Sequence, residues 1–232
     1  MSNPIMYSVH LRRKKAMSTA PDRRTRKRLA TRDSIADAAT RLFFERGFDH
    51  VTVDEIAEAA DVGRMTVFNH FPRKEDMFFD RMDEVRTILR DTLAGRDVGV
   101  SMVEALRRLA HHLVASQNPY VGFSVENLNF IKIIEGSETL KARARAIRDE
   151  IAQFLAEILA ESAGQNHADP NAELAASLLV ASWSTARLHA CRCFRLTEDA
   201  WAANAAFLAI IDRGATGLKA AMAGTPYAVA AT

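Results

Sequence analysis

The sequence predicts an all-α fold of about nine helices, with a small three-helix unit at the N-terminus and a larger helical bundle behind it. Three observations carry that prediction. Apolar residues recur at helical spacing in one segment after another, and no segment alternates convincingly with the period of two that marks a strand. Alanine is abundant while the 232 residues hold only 10 Gly and 6 Pro, which favours long helices over a turn-rich β architecture. The few breaks containing Gly, Pro or Asn fall between the periodic segments and divide the chain into short and long helices.

The first helix is expected from about Lys27 to Arg46, with Ile35, Ala39, Leu42 and Phe43 on one face and Gly47 as its stop. Thr52-Val53-Asp54-Glu55 reads as a capping box, in which hydroxyl and carboxylate each take the other residue's amide. The short helix it opens buries Val53, Ile56, Ala57 and Ala60. Asp61-Val62-Gly63 breaks it, and a second short helix runs from about Arg64 to Phe71, where Pro72 ends it. A long fourth helix is expected over Arg73–Leu93. Met102, Leu106, Leu109 and Leu113 then mark another helix, Asn118-Pro119 a break, and Tyr120–Ile134 an apolar helix. After Gly136-Ser137 the pattern predicts a helix over roughly Glu138–Ser162, with Leu140, Ile147, Ile151, Phe154 and Ile158 inward and charges outward. A polar linker, Gly164–Pro170, leads to two Ala-rich helices, about Asn171–Phe194 and Glu198–Met222.

Composition narrows the function classes. At 48% apolar and 26% charged the chain is ordinary for a globular protein. No apolar run approaches the roughly 18 to 20 residues of a membrane span, and residues 1–16 lack the apolar core of a signal peptide, so a cytoplasmic protein is expected. Cys191 and Cys193 stand two apart on a helix and point to different sides, which argues for reduced thiols over a disulfide or a shared metal. There is no nucleophile motif, Gly-rich phosphate loop or metal-ligand spacing, so no catalytic residue, metal or cofactor is expected. The net charge of +2 conceals an asymmetry: residues 1–32 hold ten Lys or Arg against one acid, Asp22, and the remaining chain holds 21 against 28. Residues 1–27 are therefore expected as a flexible basic arm, suited to phosphates or simply solvated, before a head over 28–77 and a body over 78–232. Met17 is a second candidate start, and the cluster Arg23, Arg24, Arg26, Lys27 and Arg28 would survive it.

Two short helices joined by a tight turn containing Gly form a helix-turn-helix, whose second helix offers its N-terminal side chains to the major groove of DNA. Arg64 is the candidate for base readout, because a guanidinium can take guanine O6 and N7 together. Thr66 and Asn69 suit a base or a phosphate, and His70 suits packing or a phosphate. Ile35–Met77, with RGFDHVTVDEIAEAADVGRMTVFNHFPRKEDMF at its heart, resembles the TetR family of bacterial transcriptional regulators. The resemblance is sharp over the head and only architectural over the body. It implies that Val67 and Phe71 are core positions and that Arg64, Met65, Thr66, Phe68, Asn69 and His70 face DNA. It also implies phosphate contacts from Thr52 and Lys74, to which Arg28 and the arm would add affinity without sequence information. Phe68 stands where the family has Tyr, Gly63 where a Ser caps the recognition helix, and Arg73 where a Ser or Asn caps the next.

For the body, the resemblance implies an effector site among the middle helices, where the sequence offers His111, Tyr120, Phe123, Asn127, Phe130, Trp183 and Arg187. A mostly apolar lining with a few polar groups implies a hydrophobic or amphipathic small molecule, with Arg187 suited to an anionic group or to a salt bridge. The last two helices, about 171–222, are implied to form a homodimer, with Leu174, Leu188, Trp201, Phe207 and Ile211 among the candidate contacts. The implied function is a repressor released from double-stranded operator DNA by its effector. A DNA-binding regulator without an effector, or an all-helical enzyme, are the alternatives.

Overall fold

The computed structural model describes residues 22–166 and 168–228, which form ten α-helices and one 3₁₀ turn with no strand among the described residues. The expectations for residues 1–21 lie outside the described residues. Helix α1, Arg23–Arg46, begins four residues before the expected start, because Asp22 caps it by accepting from the Thr25 amide at 2.7 Å. Arg23, Arg24, Arg26 and Lys27 are therefore helical rather than part of a flexible arm. Gly47 ends α1 at φ 83°, a conformation an L side chain rarely adopts, and a 3₁₀ turn over Phe48–His50 follows.

Helix α2, Val53–Ala59, opens on the full capping box of Thr52 and Glu55. Helix α3, Arg64–His70, starts at Gly63, which has ordinary extended backbone angles, while Asp61 supplies the left-handed residue of the turn at φ 52°. The expected fourth helix is two: α4, Lys74–Phe78, and α5, Met82–Ala94. Met77 and Phe78 are buried in the head core, and Phe79 after them leaves helical geometry at φ -107° and ψ 40°, which ends α4. The carbonyl of Asp80 in the gap accepts from the Arg32 guanidinium of α1 at 3.2 Å.

Helix α6, Met102–Ala115, is followed by a turn rather than by the helix expected from Tyr120. Within that turn Val121 and Phe123 are buried, so apolar spacing that looks helical comes from a strap tucked into the core. Helix α7 is Val125–Gly136 and α8 is Glu138–Ser162, each opened by a serine cap, Ser124 and Ser137. Helix α9, Pro170–Thr197, and α10, Ala200–Ala221, form a long antiparallel hairpin with Asp169 and Asp199 as caps. Its two helices approach so closely that a Cβ at Gly214 would lie 2.4 Å from Ser182 Oγ.

The apolar interior falls into three clusters. One, around Leu155, Leu159, Ala172 and Leu218, joins α5, α6, α8, α9 and α10; another, around Phe123, Cys191 and Phe207, closes the other end of the body. The third is the head core of α1–α4, and Leu140 of α8 is fully buried inside it. Phe130, Ile133 and Ile134 of α7 pack on the same cluster. The corner between α7 and α8 is thus a wedge of the body driven into the head. No helix among the described residues is long and apolar enough to cross a membrane.

Candidate nucleic-acid interface and ligand region

On α3 the burial pattern sorts the side chains. Val67 and Phe71 are buried in the head core, as expected. Phe68, Thr66 and His70 are half-buried, and Arg64, Met65 and Asn69 are exposed, Met65 at 71%. A methionine so exposed within a well-packed head has no core to serve, so this face is open to a partner. The Arg64 guanidinium pairs with Asp54 of α2 at 2.8 Å and lies 5.5 Å over the Phe68 ring. Both partners of that pair are more than half exposed, where such a bridge contributes about 0–1 kcal/mol. It parks Arg64 without locking it.

Two expected phosphate contacts are occupied inside the protein. The Lys74 ammonium donates to the carbonyls of Phe48 and Val51, both at 2.8 Å, and sits 4.1 Å over the Phe48 ring. Those carbonyls flank the turn between α1 and α2, so Lys74 staples the turn rather than facing a phosphate. Burial holds its pKa below the ordinary lysine range. The Thr52 hydroxyl accepts from the Glu55 amide and donates to the Glu55 carboxylate, and the Thr52 amide donates to the same carboxylate. Those bonds, with Arg46 at 2.9 Å, hold Glu55 below the usual carboxylate range. A phosphate at Thr52 would compete with this box. Arg28, in contrast, is exposed on α1 and lines an open groove of about 400 Å³ with Arg24, Thr25, Asn69 and His70.

The seven residues expected around an effector do not form one site. Phe123 and Trp183 gather at Phe207, whose ring lies 6.0 Å from that of Phe123 and 5.2 Å from that of Trp183, and Arg187 follows Trp183 by one turn of α9. The Arg187 guanidinium donates to the Tyr120 carbonyl at 2.8 Å, with no carboxylate in salt-bridge range among the described residues. Burial pushes its pKa down. The Tyr120 hydroxyl turns instead to Glu84 of α5. Asn127 is a structural brace, its amide donating to the Gly122 carbonyl at 2.7 Å. His111 faces Asp212 of α10 at 2.8 Å beside Arg107, in a network that also holds Glu104 and Lys219. Phe130 points to the head, stacked on Phe78 at 4.3 Å. Helical spacing placed these residues on helices, but the face each one presents is set by packing across elements. A second open hollow, of about 450 Å³ between α8 and α9, includes Gln153, Glu157, Glu173 and Ser177 and none of the seven. Polar side chains facing outward gave the sequence no signal for it.

The contacts that join head to body were also silent in the sequence. Ser137, the buried cap of α8, donates to Asp49 at 2.8 Å. Arg143 of α8 donates to Asp76 of α4 at 3.0 Å and to Glu150, which in turn accepts from Arg86 of α5. Of the candidate dimer contacts, Leu174, Leu188 and Trp201 are exposed, Trp201 at 79%, whereas Phe207 and Ile211 are buried within the protomer. Cys191 is buried and Cys193 half-buried, both free.

The model for "Bacterial regulatory proteins, tetR family" matches residues 35–80, the helices and turns of this head. The chain is 34% identical over 86 residues to the HTH-type transcriptional regulator TcmR of Streptomyces glaucescens, covering 37% of this chain and 38% of the relative. That match therefore spans well under half of the relative's own length. A longer match, 28% identical over 169 residues, covers 69% of this chain and 82% of the HTH-type transcriptional repressor DhaR of Mycobacterium sp. strain GP1. The fold is shared with a solved TetR-family structure from Mesorhizobium loti, with a TM-score of 0.53 at 20% identity over 84% of this chain and 98% of that one. The head thus carries the signature of the tetR family of bacterial regulatory proteins over residues 35–80, on an all-helical body that shares its fold with the solved structure.

Proposed function

We propose that this protein is a cytoplasmic, homodimeric DNA-binding repressor released from its operator by a small amphipathic molecule. The observation that carries the DNA-binding part is α3: buried Val67 and Phe71 hold it, while Arg64, Met65 and Asn69 stand out from it. Its N-terminal residues contact base edges, and Thr66, Phe68 and His70 flank them. Arg28 and the other cations at the start of α1 add backbone affinity. Thr52 and Lys74 act through the turn they hold. Repression is supported by the longer relative, which is itself a transcriptional repressor.

One head contacts few base pairs, so a dimer reading two half-sites supplies specificity. The outward residues of the last two helices, Leu174, Ala181, Leu188 and Trp201, suit that interface. The effector site is read at Phe123, Trp183 and Arg187, beneath the strap that contains Tyr120. A half-buried guanidinium with one carbonyl partner favours a ligand with an apolar body and an anionic group. The signal passes to the head through the corner between α7 and α8. Leu140 in the head core, the Phe78–Phe130 stack and the Asp76–Arg143 pair move the head when that corner shifts. A coupling of about 1–3 kcal/mol between the two sites gives roughly 5- to 150-fold induction.

The test is a gel-shift titration of the purified protein on DNA flanking its own gene, with sedimentation to count protomers. A retarded complex of two protomers, competed by unlabelled flanking DNA and not by random DNA, is expected. Failure to shift any flanking fragment would refute the reading.

A further inference from the structure

The groove between the start of α1 and the end of α3 brings together side chains distant in sequence: Arg24, Thr25 and Arg28 from one wall, Asn69 and His70 from the other. Its volume is about 400 Å³, it is open to solvent, and no carboxylate among the described residues lines it. The charges acting on His70 are those of Arg28 and Arg32, both on α1. Arg32 lies over the Phe71 ring at 4.2 Å and donates to the Asp80 carbonyl, so it is fixed in place. Of the charged groups of α4, Lys74 is engaged on the Phe48 and Val51 carbonyls and Asp76 on Arg143, while Glu75 does not line the groove. Asp22, at the head of α1, caps that helix through the Thr25 amide. His70 is therefore half-buried on a cationic wall with no anionic partner among the described residues, and burial first, then Arg28 and Arg32, hold its pKa below the ordinary value of 6.5.

We propose that this groove seats a backbone phosphodiester of bound DNA, and that His70 takes up a proton as the phosphate enters, so that the grip on DNA tightens as the pH falls. The inference rests on the DNA-binding reading and adds a regulation to it. A phosphodiester carries one negative charge at all relevant pH, so the proton comes from solvent and remains on the imidazole. The phosphate offsets the repulsion from Arg28 and Arg32 and accepts from the imidazolium N–H, which favours the protonated ring. The sign follows from linkage. His70 is neutral in the free protein above its lowered pKa and charged in the complex below its raised one. Between the two values binding takes up one proton, and affinity rises by up to about tenfold per unit fall in pH. Because a phosphate carries no sequence information, the same dependence applies to operator and to unrelated duplex.

The experiment measures the affinity of the full chain for fluorescent duplexes, one from the flanking DNA and one random, between about pH 6 and 8 at fixed salt. The wild type is compared with His70→Gln. Wild-type affinity is expected to rise toward acid with equal slope on both duplexes, and the slope to shrink by up to one proton in the variant. The salt dependence of the wild type should also steepen by about 0.9 at the acid end. Arg28→Ala, an exposed change, provides a second readout in the free protein: the His70 ring resonance should titrate at higher pH than in the wild type. A pH slope that survives His70→Gln, or a His70 titration unmoved both by Arg28→Ala and by DNA, would overturn the inference while leaving DNA binding intact. Absence of binding to every duplex at every pH would overturn the DNA-binding reading and this inference with it.

Discussion

Replacing Lys74 with methionine separates two roles that one lysine can play beside a DNA-binding helix. In the structure its ammonium makes two hydrogen bonds of 2.8 Å to main-chain carbonyls and sits 4.1 Å over an aromatic ring. A hydrogen bond to a charged group contributes about 1.5–3 kcal/mol, and part of that returns when the ammonium no longer has to be desolvated. Methionine keeps most of the aliphatic stem and its packing on Phe48, so the loss is confined to the ammonium's two hydrogen bonds and its contact with the ring face. We expect Lys74→Met to destabilise the DNA-free protein by about 2–3 kcal/mol. For a domain of 150–250 residues that lowers the melting temperature by roughly 4–12 °C. Thermal unfolding by circular dichroism, without DNA, provides the measurement. If Lys74 instead held a phosphate, the melting curve would not move, and the salt dependence of DNA binding would fall by about one counterion. That pair of results would refute the staple.

Gly63 has ordinary extended backbone angles, and a Cβ there would meet only the Thr66 hydroxyl at 4.0 Å, so Gly63→Ser should add a cap to α3. The expected gain is about 0.5–1 kcal/mol, read as a raised denaturation midpoint. Leu140→Ala should cost about 2–5 kcal/mol, because it empties a fully buried site in the head core. As Leu140 belongs to the body, its head should then melt before the body, and a single unchanged transition would contradict the wedge. Burial raises the Asp80 carboxyl to about 6 in the folded protein, above its unfolded value near 3.8. The folded state then binds the proton more tightly, so stability should increase as pH falls from about 7 toward 4. Asp80→Asn should be stabilised by about 1–3 kcal/mol near pH 8 and lose that dependence, which melting curves across pH can check.

The head was legible because its signals are local. Thr52 and Glu55 lie three residues apart and form their box within one turn, while Gly47 and Pro72 end helices through their own backbone chemistry. The interruption between α4 and α5 contains neither Gly nor Pro. It is held by Arg32, a partner 48 positions away, and no window along the chain contains both. Lys74 illustrates the same limit at a functional position. Its charge and its place before α4 are visible in the sequence, but the destination of its protons is decided by how α4 crosses the turn after α1. In the body, the buried strap residues Val121 and Phe123 imitate a helical repeat, and Phe130 and Leu140 face the head instead of the bundle. The resemblance implies an effector region among the middle helices, and apolar residues there do not say which of them face one another. Only packing separates Phe123, Trp183 and Arg187 from His111 and Phe130.

The central claim is that α3 reads a DNA sequence. Fluorescence anisotropy with the full chain tests it directly, titrating a duplex from the flanking DNA that the protein retards against a scrambled duplex of equal length and composition. The account predicts saturable binding to the first at an affinity at least 10³-fold above the second, and Arg64→Ala should narrow that ratio by about 1–3 kcal/mol. Equal affinity for the two duplexes, or an affinity ratio unchanged by every substitution at Arg64, Met65 and Asn69, would contradict it.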